Sequence, residues 1–193
     1  MARAGVVVAL VLCLGGCSSL IGSNAQNVKF VVSSFQMEGT TPAEGAVDKA
    51  REGVTDTMES YANEVVIPAL RSGGDGADLR PLFSSAAGAR AARAPDRAAF
   101  VDEDLAPAAR VKPTGTYPSV ALVGLVGPDG QVEVVNATFR LTLEASGLGT
   151  PLIIDRQGDL ALVRDGADWR IDSYAVTVTR DTPGSHSTTT AAG

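Results

Sequence analysis

The sequence predicts an α+β fold, with N-terminal helices packed on a curved antiparallel sheet of about four strands. The helices are read from Val47, Ala50, Val54, Met58, Tyr61 and Val65, which recur at three- and four-residue steps and form one apolar stripe. The sheet is read from Tyr117 onward, where apolar residues alternate with polar ones over several long runs. Its curvature is read from two changes of parity. Val132 and Val134 give way to Val135, Ala137, Phe139, Leu141 and Leu143, and Trp169 and Ile171 give way to Tyr174, Val176 and Val178. A strand that changes its buried face carries a β-bulge, and bulges bend long strands.

The chain has 193 residues and 45% hydrophobic content, enough for one domain with its own core. Its formal charge of −6 argues against non-specific binding of nucleic acid through phosphates. Residues 1–16 read as a lipoprotein signal peptide. Arg3 supplies the positive start and Gly5 to Leu14 an apolar core too short for a hydrocarbon layer of about 30 Å. The core ends in Leu14-Gly15-Gly16-Cys17, which resembles the lipobox of bacterial lipoproteins: an aliphatic residue, two small ones, then the cysteine that is acylated. The expected lipidation site is therefore Cys17, with the membrane as a partner through two or three acyl chains. The other cysteine, Cys13, lies in the segment expected to be removed, so neither a disulfide nor a thiol nucleophile is expected in the mature domain.

Residues 17–40 read as a tether and an N-terminal extended segment, in which Val28 to Met37 fits a strand or a short helix. Thr41-Pro42-Ala43-Glu44 has the form of a capping box with proline at the first helical position, so the first helix is expected to start there. Pro68 should end or kink it. Ser84 and Asp96 are candidate caps of two further short helices. The basic run Arg80, Arg90, Arg93 and Arg97 reads as a solvated helix face. Asp102-Glu103-Asp104 does not read as a metal site, because neighbouring residues on a helix point in different directions. No metal or other cofactor is implied.

In the second half, Val120 to Val126 is apolar on both faces and reads as an interior strand. Gly127-Pro128-Asp129-Gly130 reads as a turn. Asp165-Gly166 lies between two apolar-rich runs and predicts a tight hairpin, after which Leu160, Leu162, Trp169 and Ile171 should share one buried face. The domain is expected over 41–181, and residues 182–193 as a disordered tail.

The stretch Leu160-Ala-Leu-Val-Arg-Asp-Gly-Ala-Asp-Trp-Arg-Ile-Asp-Ser-Tyr174 resembles the terminal hairpin of the NTF2-like (SnoaL-like) family. The order of elements is similar to that of small actinobacterial envelope proteins of this fold, the Mce-associated proteins among them. The resemblance implies a cone whose pocket lies between the first helix and the sheet. Mce-associated proteins usually carry an uncleaved transmembrane helix where this chain has a lipobox.

Enzymes of that family, such as ketosteroid isomerases and polyketide cyclases, use an Asp or His base with a Tyr or a second acid. Here the single His, His186, falls in the expected tail. The candidate pocket residues are Tyr61, Tyr117, Asp172 and Tyr174, with Asp172 and Tyr174 of like parity. A catalytic reading would rest on that Asp–Tyr pair. The preferred reading is a non-catalytic envelope lipoprotein that binds a lipid, another apolar ligand or an envelope protein partner, with an Mce-type transport accessory among the roles this implies.

Overall fold

A computed structural model of the chain describes residues 27–75, 77–102, 105–115, 118–147 and 149–193. Cys17 and Tyr117 lie outside the described residues. Strand β1 (Val31–Gly39) comes first, followed by a helical layer. That layer contains α1 (Ala46–Ser60), a π-helical stretch (Tyr61–Val66), α2 (Ile67–Ser72), α3 (Ser85–Ala91) and α4 (Ala94–Val101). Six strands follow: β2 (Arg110–Pro113), β3 (Ser119–Val126), β4 (Val132–Ser146), β5 (Leu152–Asp165), β6 (Asp168–Thr182) and β7 (Ser185–Ala192).

The sheet overturns the expected cone. It has seven strands in the order β1-β3-β4-β5-β6-β7, with β2 also paired to β4. It is mixed, because β1 runs parallel to β3. The described residues therefore place a strand ahead of the helices, and the NTF2-like layout of leading helices on about four antiparallel strands does not describe them. The additional strands come from segments with weak apolar alternation. The expected disordered tail forms β7, whose Ser-Thr-rich run pairs with β6 from Ala175↔Ala192 to Thr182↔Ser185. Only Ala191 of that strand is buried. What orders it is the unpaired backbone edge of β6, helped by threonines that suit a pleated surface.

The first helix also departs from expectation at both ends. It begins at Ala46 behind Gly45, and no side chain caps it. The Ala43 N–H, which a capping box at Thr41 would leave near the helix start, donates instead to Gly130 O at 2.8 Å. Residues before α1 are thus spent on docking to the β3–β4 turn. At the other end Pro68 does not stop the helix. The π-helical stretch precedes it, with Ile67 N–H donating five residues back to Ala62 O. Proline lacks the N–H and crowds the carbonyl four residues back; the wider turn relieves both. The apolar stripe is as expected on Ala50, Val54, Met58, Tyr61 and Val65, while Val47 is only half-buried and Ala46 faces the core in its place.

The parity changes are bulges. On β4, Leu125↔Val134 and Val126↔Val132 leave Glu133 unmatched. On β6, Ala161↔Ser173 and Leu162↔Ile171 leave Asp172 unmatched. The hairpin turns at Gly166, whose φ of 64° is left-handed, between Asp165 and its partner Asp168. Leu160, Leu162, Trp169 and Ile171 are all buried, on the face that receives α1.

Trp169 is accommodated by a glycine. A Cβ on Gly53 would lie 2.5 Å from Trp169 Cδ1, so α1 approaches the indole more closely than any other residue would allow. Helix propensity alone favours alanine over glycine by about 1 kcal/mol. Overpacking against a fixed aromatic costs about 1–3 kcal/mol. Gly53→Ala should therefore destabilise the protein despite the better helix former, read as a lower urea midpoint followed by the fluorescence of this sole tryptophan.

Candidate functional site

The inner face of the sheet is where the resemblance puts a pocket, and it is packed with side chains. Tyr61, at 0% exposure, projects from the π-helical stretch onto it. Its ring meets Phe100 and Phe139 edge-on, with centroids 6.0 and 6.2 Å away. Phe100 in turn packs edge-on against Phe83 and Tyr174. Such edge-to-face contacts place the positive ring rim on the negative face of its neighbour. Leu122, Leu141, Leu143, Ile154, Leu160 and Leu162 complete the layer, each fully buried.

Within this layer sits an ionic cluster that the sequence reading did not identify. Arg156 on β5 and Arg180 on β6 both reach Asp102, which follows the last turn of α4. Arg156 and Asp102 are at 0% exposure and Arg180 at 5%. Arg180 holds Asp102 Oδ1 through Nε at 2.9 Å and Nη2 at 2.6 Å, while Arg156 Nη2 holds Oδ2. The same guanidinium groups donate to the open carbonyls of the helix end. Arg156 donates to Ala99 O, and Arg180 to Ala98 O at 3.2 Å.

A helix C-terminus presents unsatisfied carbonyls and a partial negative charge, and cations satisfy both. Asp102 has φ 48°, the only positive φ among the described non-glycine residues, and Asp tolerates that region better than most. Burial lowers the proton affinity of Arg156, opposed by the Tyr61 hydroxyl, which accepts its Nη1–H at 3.3 Å. The adjacent carboxylate favours the charged form. The chemistry of this cluster is that of a clamp: its polar groups face each other and the C-terminal end of α4.

The three predicted pocket residues that are described, Tyr61, Asp172 and Tyr174, do not form a site. Tyr61 is buried under Arg156, and Tyr117 lies outside the described residues. Asp172 is exposed, because it is the extra residue of the β6 bulge. The bulge reverses the faces after it, so Tyr174 is buried at 4% exposure while Asp172 points to solvent. The expected Asp172–Tyr174 pair sharing one face is thereby corrected. Tyr174 donates instead to Asp96 Oδ2 at 2.6 Å. Its phenol is held well above its usual pKa, by burial first and by that hydrogen bond second. Arg90 Nη2 donates to the Asp172 backbone oxygen at 3.0 Å, which ties α3 to the bulge.

His186 is part of the fold. It stands exposed on β7, with Nδ1 against Asp181 and Nε2 3.4 Å from the Thr188 hydroxyl. The order of groups resembles a base-assisted nucleophile, but it lies on the open convex side of the sheet, and a nucleophilic site also needs donors for a developing oxyanion. The cross-strand pair Asp181↔His186 accounts for the contact. Among the described residues no cluster of three or more His, Cys, Asp or Glu side chains could hold a metal ion, and no helix is long and apolar enough to cross a membrane.

Three surface clefts measure about 320, 370 and 440 Å³. None is lined by Tyr61, Phe100 or Arg156. No protein-family model matches the chain, and comparison with curated proteins and with solved structures returns no match.

Two measurements check this account. Asp102→Asn keeps the shape but leaves two buried guanidinium groups without their counter-charge; it should cost about 3–5 kcal/mol in chemical denaturation. The Tyr174 phenol gives a pH signature. Its folded pKa lies above the ordinary 10.0, so its contribution is complete below that pH and is lost as pH rises above it. Tyr174→Phe should flatten the alkaline loss of stability relative to the parent protein, and an unchanged alkaline slope would contradict the buried phenol.

Proposed function

We propose that this chain is a lipid-anchored protein of the cell envelope whose domain works by binding another envelope protein. The anchor rests on Leu14-Gly15-Gly16-Cys17 behind a short apolar core, a context that suits acylation and cleavage at Cys17. Supporting a binding role is the packed inner face, where Tyr61, Phe100 and Phe139 occupy the space a small-molecule pocket would need. That packing also favours a protein partner over a lipid or another apolar ligand held inside the domain. Against the alternative of an isomerase or cyclase stands the separation of its two groups: Asp172 is exposed, and the Tyr174 hydroxyl is bonded to Asp96.

The test has two parts. Cys17→Ala should accumulate as an unprocessed precursor that incorporates no labelled fatty acid, and labelling equal to wild type would refute the anchor. Lipid extraction from the purified protein should yield only the covalently attached chains. Stoichiometric free lipid would instead favour the apolar-ligand reading.

A further inference from the structure

The two edges of the sheet are finished differently. At one edge β7 is backed by α4. At the other, β1 is nine residues long, contains neither proline nor lysine, is interrupted only by the register shift at Val32–Ser34, and among the described residues pairs only with β3. Its single charged residue is Glu38. Long edges of this kind are usually blunted, because their unpaired N–H and C=O groups are a template for another strand.

The direction of each backbone group on β1 follows from its pairing. Val31 N–H donates to Pro118 O, and Thr40 N–H donates to Val126 O at 3.4 Å. The register shift between Val32 and Ser34 reconciles an odd residue facing β3 at one end with an even one at the other. After the shift, Ser34, Gln36 and Glu38 therefore turn their N–H and C=O toward β3, and Phe35, Met37 and Gly39 turn theirs outward. The side chains of Phe35 and Met37 lie together over Gly124 on the helix-bearing face, both half-buried, with the Arg51 guanidinium 5.8 Å from the Phe35 ring centroid.

We propose that this edge pairs with β1 of a second copy of the chain, antiparallel, with Gln36 opposite Gln36 on the two-fold axis. In that register Phe35 of each copy faces Met37 of the other. Both present outward backbone groups, so each pair exchanges two N–H···O bonds. The aromatic–thioether pairs then cover the half-buried side chains from the open side. Glu38 falls opposite Ser34, so no like charges meet. Moving the centre to Glu38 would oppose the two carboxylates, and moving it to Phe35 or Met37 would lose the Phe–Met pairs. The strand's composition thus matches a copy of itself in one register. The contact is smaller than the roughly 1,200–2,000 Å² of a standard stable interface, so the dimer should be weak in dilute solution and is best read by trapping.

The residue on the axis supplies the trap. Opposed residues of a non-hydrogen-bonded antiparallel pair have Cα atoms about 4.5 Å apart, within disulfide range. In the full chain, judged against wild type with Cys13 and Cys17 unchanged, Gln36→Cys should form a covalent dimer of twice the chain mass under mild oxidation. Ser34→Cys and Glu38→Cys should each do so several-fold less, while the double variant carrying both should again cross-link. Met37→Pro removes an outward N–H that the β1–β3 ladder does not use, and it should abolish the Gln36→Cys product. Loss of the half-buried side chain should lower the thermal midpoint while a cooperative unfolding transition remains. Met37→Lys is the second blocking variant should the proline disturb folding. Equal cross-linking at all three single positions, or no dimer at Gln36→Cys, overturns the proposal. A cross-linked product of any other mass overturns it in favour of a different strand partner. None of these readouts depends on acylation of Cys17, so failure here is distinguishable from failure of the anchor.

Discussion

Two guanidinium groups and one carboxylate meet beneath the end of α4, and the seating of the helical layer follows from that contact. Arg156 and Arg180 come from neighbouring strands of the sheet, and Asp102 comes from the helices. Burying such groups is expensive, several kcal/mol per ion, and their mutual attraction offsets this only with good geometry and satisfied hydrogen bonds. The carbonyls of Ala98 and Ala99 accept further guanidinium N–H bonds, so the cluster caps a helix that would otherwise end with open acceptors in the core. This arrangement of α4 over β5 and β6 satisfies the Asp102 carboxylate and both carbonyls together, and of the Arg156 guanidinium leaves Nε without a partner. A sliding or rotated α4 would strand two buried cations.

The long strands make that arrangement reachable. β6 carries Trp169 and Ile171 inward, passes through the bulge at Asp172, and returns Tyr174, Val176, Val178 and Arg180 to the same face. Without the extra residue, the side chains after it would point to solvent and Arg180 could not reach Asp102. The bulge on β4 at Glu133 does the same for Val135 to Leu143. Curvature and charge placement are thus coupled on β6: the bulge that bends this strand also sets the parity that delivers Arg180 inward, while Arg156 follows the unbroken parity of β5. The exposed position of Asp172 follows from the same bulge, which removes it from any inner-face chemistry.

The outer face has another character. Arg140 pairs with Asp155, which also accepts from Thr142, and Thr138 donates to Asp159. These cross-strand polar pairs keep the convex side solvated and individually contribute little to stability. A protein whose interior is packed and whose convex face is polar has few surfaces left on which to hold a partner. That is why an edge with free backbone groups, flanked by half-buried Phe35 and Met37, matters more here than any cleft.

The alternation of Leu160, Leu162, Trp169 and Ile171 about Asp165-Gly166 specified the hairpin, and the parity changes signalled both bulges. The change after Ile171 marks its bulge in position; the other falls one residue late, because the extra residue is Glu133 and Val134 already pairs with exposed Leu125. Periodicity and turn chemistry are local, so a single chain reads them out without reference to distant segments. The α1 stripe was legible for the same reason. The ionic cluster left a fainter trace: Arg156 lies in phase with Ile154 and Leu160, and Arg180 with Val176 and Val178, each a charge on a buried parity. Its partner Asp102 lies on another element, and no local pattern pairs residues more than fifty positions apart. β7 was decided by tertiary structure alone, and for β1, which the sequence left between strand and short helix, tertiary structure settled the choice. Their sequences are ambiguous or polar, and they became strands because β3 and β6 offered unpaired backbone edges that had to be satisfied. The start of α1 was decided in the same way, when Gly130 took the Ala43 N–H that a capping box would have placed at the helix end. Local pattern therefore determined which faces are apolar and where the chain turns. The partners of long-range backbone and charged groups were settled only on folding, because their desolvation has to be balanced by groups that the sequence keeps far apart.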